Sequence, residues 1–127
     1  MLSEEFKDNI SNDYIDILEK YSEMGIEEDE LIEIEEGLRN GLDVSVYAKP
    51  CFDFQQMYEI RKGMQFIGVD VSIYADAKYT GNQMHEIREG LENGIDVSSY
   101  LDPNLDWYDM EQIRLELEGK LKRQRGF

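Results

Sequence analysis

Few side chains in this chain are of the types that carry catalysis or bind transition metals. His85 is the single histidine and Cys51 the single cysteine, so the usual zinc ligand sets cannot be assembled. A serine or cysteine nucleophile needs a nearby base, and no neighbour of Cys51 in the sequence suits that role. Carboxylates are abundant, but no pair is singled out by an apolar setting that would raise a pKa. We therefore expect no catalytic, cofactor-binding or metal-binding residue, and a protein that is not an enzyme.

One segment has the spacing of a calcium-binding loop. The oxygen-bearing residues Asp102, Asn104 and Asp106 follow the i, i+2, i+4 pattern of such loops. However, Trp107 replaces the loop's glycine and Ile113 replaces its bidentate glutamate. We interpret the segment as a proline-containing turn followed by a helix N-cap.

The elements that position these residues follow from an internal repeat. Ile34, Ile60, Ile87 and Ile113 mark equivalent positions, spaced 26, 27 and 26 residues apart. Apolar residues at i, i+3 and i+7 around them predict one long amphipathic helix per unit. A glycine stop, a short Asp-Val-Ser-x-Tyr helical turn and a return loop follow each helix. The extra residue of the middle unit falls within 64–68, where we expect the helix end to bulge or extend.

The repeat predicts an all-α fold, a small helical-repeat array of the α-solenoid type. One unit cannot bury its own apolar stripe, so the units must stack in a single domain. The predicted parts are an N-terminal capping helix in 1–29, repeats in 30–53, 54–80 and 81–106, and a C-terminal capping helix with a basic tail in 107–127.

Three sets of repeated residues carry expectations about packing. Glycine inside a helix costs about 1 kcal/mol relative to alanine, so we expect a neighbouring element to approach these bare backbones closely. The recurring tyrosines are predicted to pack in the core with their hydroxyls at its rim. The recurring arginines either pair with acids such as Glu59, Glu86 and Glu89 or form an exposed basic row. The three sets are Gly37, Gly63 and Gly90; Tyr47, Tyr74 and Tyr100; and Arg61, Arg88 and Arg114.

The charge is strongly negative and unevenly distributed. The 127 residues include 29 acids and 13 bases, for a net charge of −16. This balance argues against direct binding to nucleic acid or to an anionic membrane. Residues 1–36 hold 14 acids and 2 bases, whereas 119–127 hold 4 bases and no acid. No apolar run approaches the roughly 18 residues of a membrane span, the first residues lack signal-peptide features, and a lone cysteine favours a reducing cytoplasm.

Two kinds of residue are candidates for contact with a partner. Acids concentrate at the start of the first repeat, where they also suit a helix N-terminus. Aromatic residues in return loops and helix starts differ between the units, so stacking does not require them. The predicted partner-binding residues are Glu27, Glu28, Asp29, Glu30, Glu33, Glu36, Phe52, Phe54, Tyr79, Trp107 and Tyr108.

The unit Gln-Met-x-Glu-Ile-Arg-x-Gly-Leu-x-x-Gly-x-Asp-Val-Ser-x-Tyr-Ala-Asp-Pro resembles short helical repeats in proteins of mobile elements and phages of gut bacteria. The resemblance covers residues 30–121, with Ala77 in place of the proline and Lys49 in place of the aspartate. It implies a helical fold and brings no catalytic motif. Small acidic proteins of such elements include anti-restriction and anti-CRISPR inhibitors.

Two functions fit these observations. The leading hypothesis is a non-enzymatic protein-binding module, present as a monomer or homodimer, that acts through a rigid helical surface. The alternative is an inhibitor of a nucleic-acid-binding defence protein, whose carboxylates imitate phosphates and occupy a cationic groove. Neither requires a cofactor, a membrane or direct contact with nucleic acid. A weaker third possibility is salt-sensitive nucleic-acid contact through the basic tail.

Overall fold

The computed structural model describes residues 1–126, and all regular structure within them is helical. This confirms the predicted all-α class and a small helical array. A 3-10 helix follows each of the three middle α-helices, at Val44–Val46, Val71–Ile73 and Val97–Tyr100. The α-helices are α1 (Glu4–Asp8), α2 (Asn12–Glu23), α3 (Glu28–Arg39), α4 (Phe54–Met64), α5 (Gly81–Glu92) and α6 (Trp107–Gln124).

The helices pack in chain order, each of α2 to α5 against the next. Gln55 and Asn82 occupy the same position near the starts of α4 and α5, and Gln55 Nε2 donates to Asn82 Oδ1 at 2.8 Å. At the other end of α5, Asn93 Nδ2 donates to Glu118 Oε2 of α6 at 2.6 Å. The first bond joins equivalent repeat positions, and in the second Glu118 lies one residue before the α6 position equivalent to Asn93. The long helices of the repeats therefore run parallel and in register.

Each repeat helix begins at a residue that the sequence marks clearly. Asp53 and Thr80 cap α4 and α5, and both form reciprocal capping boxes with the glutamine three residues later. An apolar residue precedes each N-cap and another follows at the fourth helical position, the pattern of a hydrophobic staple. These pairs are Ile26 with Leu31, Phe52 with Met57, Tyr79 with Met84, and Leu105 with Met110.

The extra residue of the middle repeat changes how its helix ends. After α3 and α5, a glycine with positive φ closes the helix, and the next amide reaches back to the helix interior, as in Leu42 N to Gly37 O at 3.0 Å. After α4, Val69 N bonds instead to Phe66 O at 3.3 Å. The insertion thus forms an additional turn beyond Met64, with Ile67 98% exposed.

A buried tyrosine explains the glycine inside each repeat helix. Tyr74 is completely buried, and its hydroxyl donates to the Glu59 carbonyl oxygen at 2.7 Å. A Cβ on Gly63 would overlap this hydroxyl and lie 2.8 Å from Val71 Cγ1, so only glycine admits the tyrosine. Tyr47 and Tyr100 repeat the arrangement, at 2.6 and 2.9 Å from their carbonyl oxygens.

The close approach to glycine is therefore as predicted, but the expectation of rim hydroxyls is wrong. The hydroxyls reach the core because each repeat helix offers a carbonyl oxygen to receive them beside the glycine. Burial accordingly raises the pKa of Tyr47, Tyr74 and Tyr100 above the usual range.

Replacing this glycine by alanine tests the packing. Gly63→Ala should lower the free energy of unfolding by about 1–3 kcal/mol, because the added methyl group displaces Tyr74. Gly119→Ala in α6 is the matched control: its Cβ would meet only Arg123 Nη1, at 3.5 Å. That change should stabilise by up to about 1 kcal/mol. Urea denaturation followed by circular dichroism measures both, and equal effects of the two substitutions would contradict the packing described here.

Candidate interaction surfaces

Buried ion pairs join each repeat to the next. Every pair links a glutamate of one helix to an arginine of the following helix, with both side chains at most 10% exposed. Of the two arrangements left open for the arginines, pairing is the correct one. The pairs are Arg61 Nε with Glu33 Oε2 at 2.6 Å, Arg88 Nε with Glu59 Oε1 at 2.8 Å, and Arg114 Nε with Glu86 Oε1 at 2.9 Å.

The series of ion pairs has a defined first and last member. In α3 the position of the paired arginine holds Glu35, which bonds to Arg39 of its own helix at 2.8 Å. In α6 the position of the paired glutamate holds Gln112, which is exposed. Among residues 1–126, the series of buried pairs therefore leaves no buried arginine or glutamate of its own unpaired at either end.

The middle of the series contains the one histidine. Burial of Glu59 opposes its ionisation, but hydrogen bonds from His85 and Arg88 outweigh this and lower its pKa. The bond to Glu59, at 3.3 Å from Nδ1, in turn raises the pKa of His85. His85 Nε2 also lies 3.5 Å from Glu89. The predicted acids Glu59 and Glu86 thus pair with arginines, whereas Glu89 lies beside the histidine.

The parallel helices bring their first residues together along one side of the molecule. We call this side the helix-start edge. It contains seven acids and no base. Of the predicted partner-binding residues, Glu27, Glu28, Asp29, Glu30, Phe54, Trp107 and Tyr108 lie on it. The helix-start edge comprises residues 27–30, 53–56, 80–83 and 106–109.

Three predicted partner-binding residues are not available to a partner. Glu33 is 5% exposed and is the ion-pair partner of Arg61. Phe52 and Tyr79 are 5% and 3% exposed. The prediction was wrong for these aromatics because they occupy one repeated position, just before the N-cap, that holds a different apolar residue in each unit. Glu36 is exposed but lies near the end of α3, away from the helix-start edge.

The acids at the start of α3 form the densest negative cluster. Glu27 and Asp29 are exposed and Glu30 is half-buried, and within residues 1–126 their carboxylates make no hydrogen bond or ion pair. Glu28 differs, since its two oxygens accept bonds from the Ser3 amide and hydroxyl at 2.7 and 2.9 Å. We call Glu27, Asp29 and Glu30 the acidic cluster. Phe54, 43% exposed, begins the adjacent helix.

The aromatic pair lies at the far end of the same edge. Trp107 and Tyr108 are 41% and 55% exposed, and their rings meet edge-on with centroids 6.2 Å apart. Three helix-to-helix steps separate them from the acidic cluster, or about 24–30 Å at usual packing distances. The predicted residues therefore form two surfaces, acidic beside Phe54 and aromatic at α6.

Some exposed apolar residues were missed by the sequence analysis. Phe66 and Ile67 are 46% and 98% exposed, on the turn made by the inserted residue. The insertion was visible in the repeat spacing, but its exposure was not inferred. Ile32 and Leu115 are 50% and 49% exposed, on α3 and α6. The exposure of these two residues depends on how the helices pack. The sequence does not show it, because every repeat helix is amphipathic.

No known protein family, curated protein or solved structure matches this chain. Among residues 1–126, no three His, Cys, Asp or Glu side chains are placed to hold a metal ion. The same residues include no helix that is long and apolar enough to cross a membrane.

The ion pairs predict different costs for buried and exposed pairs. Arg61→Met leaves the buried Glu33 carboxylate without its partner and should cost about 3–5 kcal/mol of unfolding free energy. Lys120→Met removes the partner of Glu116, which is 67% exposed, and should cost less than about 1 kcal/mol. Adding Glu33→Met to Arg61→Met should restore most of the loss. Urea titrations of all four variants, Glu33→Met alone included, test this, and a double variant no better than Arg61→Met would refute it.

The histidine predicts a small dependence of stability on pH. Folding raises the pKa of His85. Protonated His85 therefore stabilises the fold fully at pH values below about 6.5, the pKa of histidine in the unfolded chain. This stabilisation is lost as the pH rises through the pKa of the folded state. Wild type should therefore lose stability relative to His85→Gln as the pH rises from about 6.5 through the folded-state pKa. Because the side chain is 40% exposed, the effect should stay below about 1 kcal/mol. Melting temperatures measured across this range would show it, and parallel curves would argue against the His85–Glu59 contact.

Proposed function

We propose that this protein is a non-enzymatic binding module whose helix-start edge binds a cationic protein surface in the cytoplasm. The observation that carries the proposal is the edge itself, with seven acids and no base. Within it, no base among residues 1–126 forms an ion pair with the acidic cluster. An opposite potential on a partner would speed association and select against acidic competitors.

The way the edge is held supports binding with little loss of entropy. Capping boxes fix the starts of α4 and α5, the bonds from Ser3 to Glu28 hold the start of α3, and buried ion pairs join the helices. A preformed surface avoids the ordering cost that a flexible acidic segment would incur. The exposed ring of Phe54 beside the acids adds an apolar contact, and an aromatic face also attracts the arginine or lysine of a partner.

The remaining reactive side chains support binding more than catalysis. His85 is engaged by Glu59 and lies on a helix surface. Cys51 is exposed in a return loop, and in residues 1–126 no base contacts it. A nucleophile and its activating base would have to lie within hydrogen-bond reach.

A second candidate is an inhibitor of a nucleic-acid-binding defence protein, of the anti-restriction or anti-CRISPR type. The acidic cluster favours it, because carboxylates fixed on helix starts offer a rigid array of negative charge. Duplex DNA carries one charge per about 1.7 Å of its axis. The resemblance to repeats of mobile-element and phage proteins agrees with this candidate. It differs from the first in requiring that nucleic acid and this protein occupy the same groove.

Charge reversal of the acidic cluster tests the proposal. Glu27→Lys, Asp29→Lys and Glu30→Lys, combined in one variant, should reduce capture of a basic partner from host cytoplasmic extract by at least about 10-fold. Quantitative mass spectrometry of immobilised wild type and variant measures the difference. Capture by the wild type should also weaken with added salt, because exposed charges are screened.

The control variant changes the net charge equally at another place. Asp8→Lys, Asp13→Lys and Asp16→Lys lie on exposed positions of α1 and α2 and should leave capture unchanged. Equal losses with both variants would mean that only net charge matters and would overturn the proposal. Displacement of the captured partner by duplex DNA or RNA would favour the second candidate.

A further inference from the structure

Gly119 lies inside a long helix, yet no close packing contact within residues 1–126 requires a glycine there. Gly37, Gly63 and Gly90 each admit a tyrosine, and the Gln55 side chain covers Gly81. At Gly119 an added Cβ would meet only the end of the flexible Arg123 side chain, at 3.5 Å. An interior helical glycine costs about 1 kcal/mol relative to alanine. A backbone covered only by the end of a flexible side chain is suited to the close approach of another helix.

Exposed apolar side chains lie on the same face of α6. Tyr108, Gln112, Leu115 and Gly119 are spaced by four, three and four residues, which places them in one row along the helix. Tyr108 is 55% exposed and Leu115 49% exposed. We call this row the outer stripe of α6. It lies away from the side of the helix that buries Met110 against the array.

The charges at the two ends of α6 are opposite in sign. The helix has 18 residues, about 27 Å at 1.5 Å per residue, whereas α3, α4 and α5 have 11 or 12. Its N-cap and first turns carry exposed or half-exposed acids beside the aromatic pair. Its last turn and C-cap carry exposed bases. The acids are Asp106, Asp109 and Glu111, and the bases are Lys122, Arg123 and Arg125.

We propose that α6 pairs through its outer stripe with α6 of a second copy, in antiparallel orientation about a two-fold axis. Antiparallel pairing sets the basic end of each helix opposite the acidic and aromatic start of the other, whereas parallel pairing would bring like charges together. Arginine over Tyr108 adds a cation–π contact. Leu115 lies near the middle of the helix, where the two copies meet, and Gly119 admits the facing side chains.

A two-fold contact of this kind is closed, so it gives a dimer and not a filament. The neutral Gln112 favours the pairing, because the outer stripe of α6 then places no carboxylate of its own in the contact. The acidic cluster lies three helices away, at the other end of the array, and stays exposed in the dimer. The pairing covers residues 106–109 of the helix-start edge but leaves the acidic cluster free, so it can be tested separately from the proposed function.

Sedimentation velocity over about a hundredfold range of micromolar concentration tests the pairing. The wild type should form a dimer that dissociates on dilution. Leu115→Asp and Gly119→Leu should be monomeric throughout, and Gly119→Leu should fold normally because only the flexible end of Arg123 lies near its Cβ position. The control Ile67→Asp, on an even more exposed apolar residue outside α6, should leave the dimer unchanged.

A charge swap tests the orientation. The variant Lys122→Glu/Arg123→Glu and the variant Asp109→Lys/Glu111→Lys should each lose self-association by at least about 10-fold. In a parallel pair like charges would face each other at the altered end before and after each change, so loss of self-association by the single variants identifies the antiparallel pair. Their equimolar mixture should form a heterodimer, because one variant is then acidic and the other basic at both ends of the contact. Circular dichroism confirms folding of each variant.

Three results would overturn the proposal: a wild type that is monomeric at all concentrations, a dimer unaffected by Leu115→Asp and Gly119→Leu, or a mixture of the charge variants that does not associate. Capture of the acidic-cluster partner by the monomeric Leu115→Asp variant separates the two proposals, because the partner surface does not require the dimer.

Discussion

Glu33, Glu59 and Glu86 hold the array together because each makes contacts of two kinds. Their backbone carbonyl oxygens receive a tyrosine hydroxyl from the same repeat. Their carboxylates receive an arginine from the next repeat. A buried carboxylate is costly unless it is paired and hydrogen-bonded, so the position of each helix is constrained by its neighbour. The same residue thus fixes the interior of one repeat and its junction with the following one.

This constraint also defines where the array ends. Glu35 and Gln112 replace the residues that would need a further repeat, and terminal units of repeat proteins must differ from the inner ones to remain soluble. The two ends are therefore free of the packing rules that govern the middle. One end carries the acidic cluster, and the other carries the longest helix with its basic terminus. The uneven distribution of charge along the array and the two proposed binding surfaces follow from this difference between its ends.

Exposure in this fold depends on the position within the repeat more than on the residue type. Phe52 and Phe54 are two residues apart, yet the first is buried under its helix start and the second is half-exposed at it. Tyr79 and Tyr108 differ in the same way. Variation between the units at a single position therefore does not identify a binding residue. A surface must be recognised from helix register, which places chemically similar side chains on the same edge.

The sequence by itself determined the helices, their caps, the glycine stops and the need for stacking, because these depend on local spacing and on repeated patterns. It also indicated a reason for Gly63, though not the hydroxyl that occupies the space. Only the tertiary structure decided which glutamate pairs with which arginine, and that Glu33 is buried while Glu27 is exposed. Those outcomes depend on contacts between residues about one repeat apart, and neither local propensity nor composition specifies how two helices are set against each other.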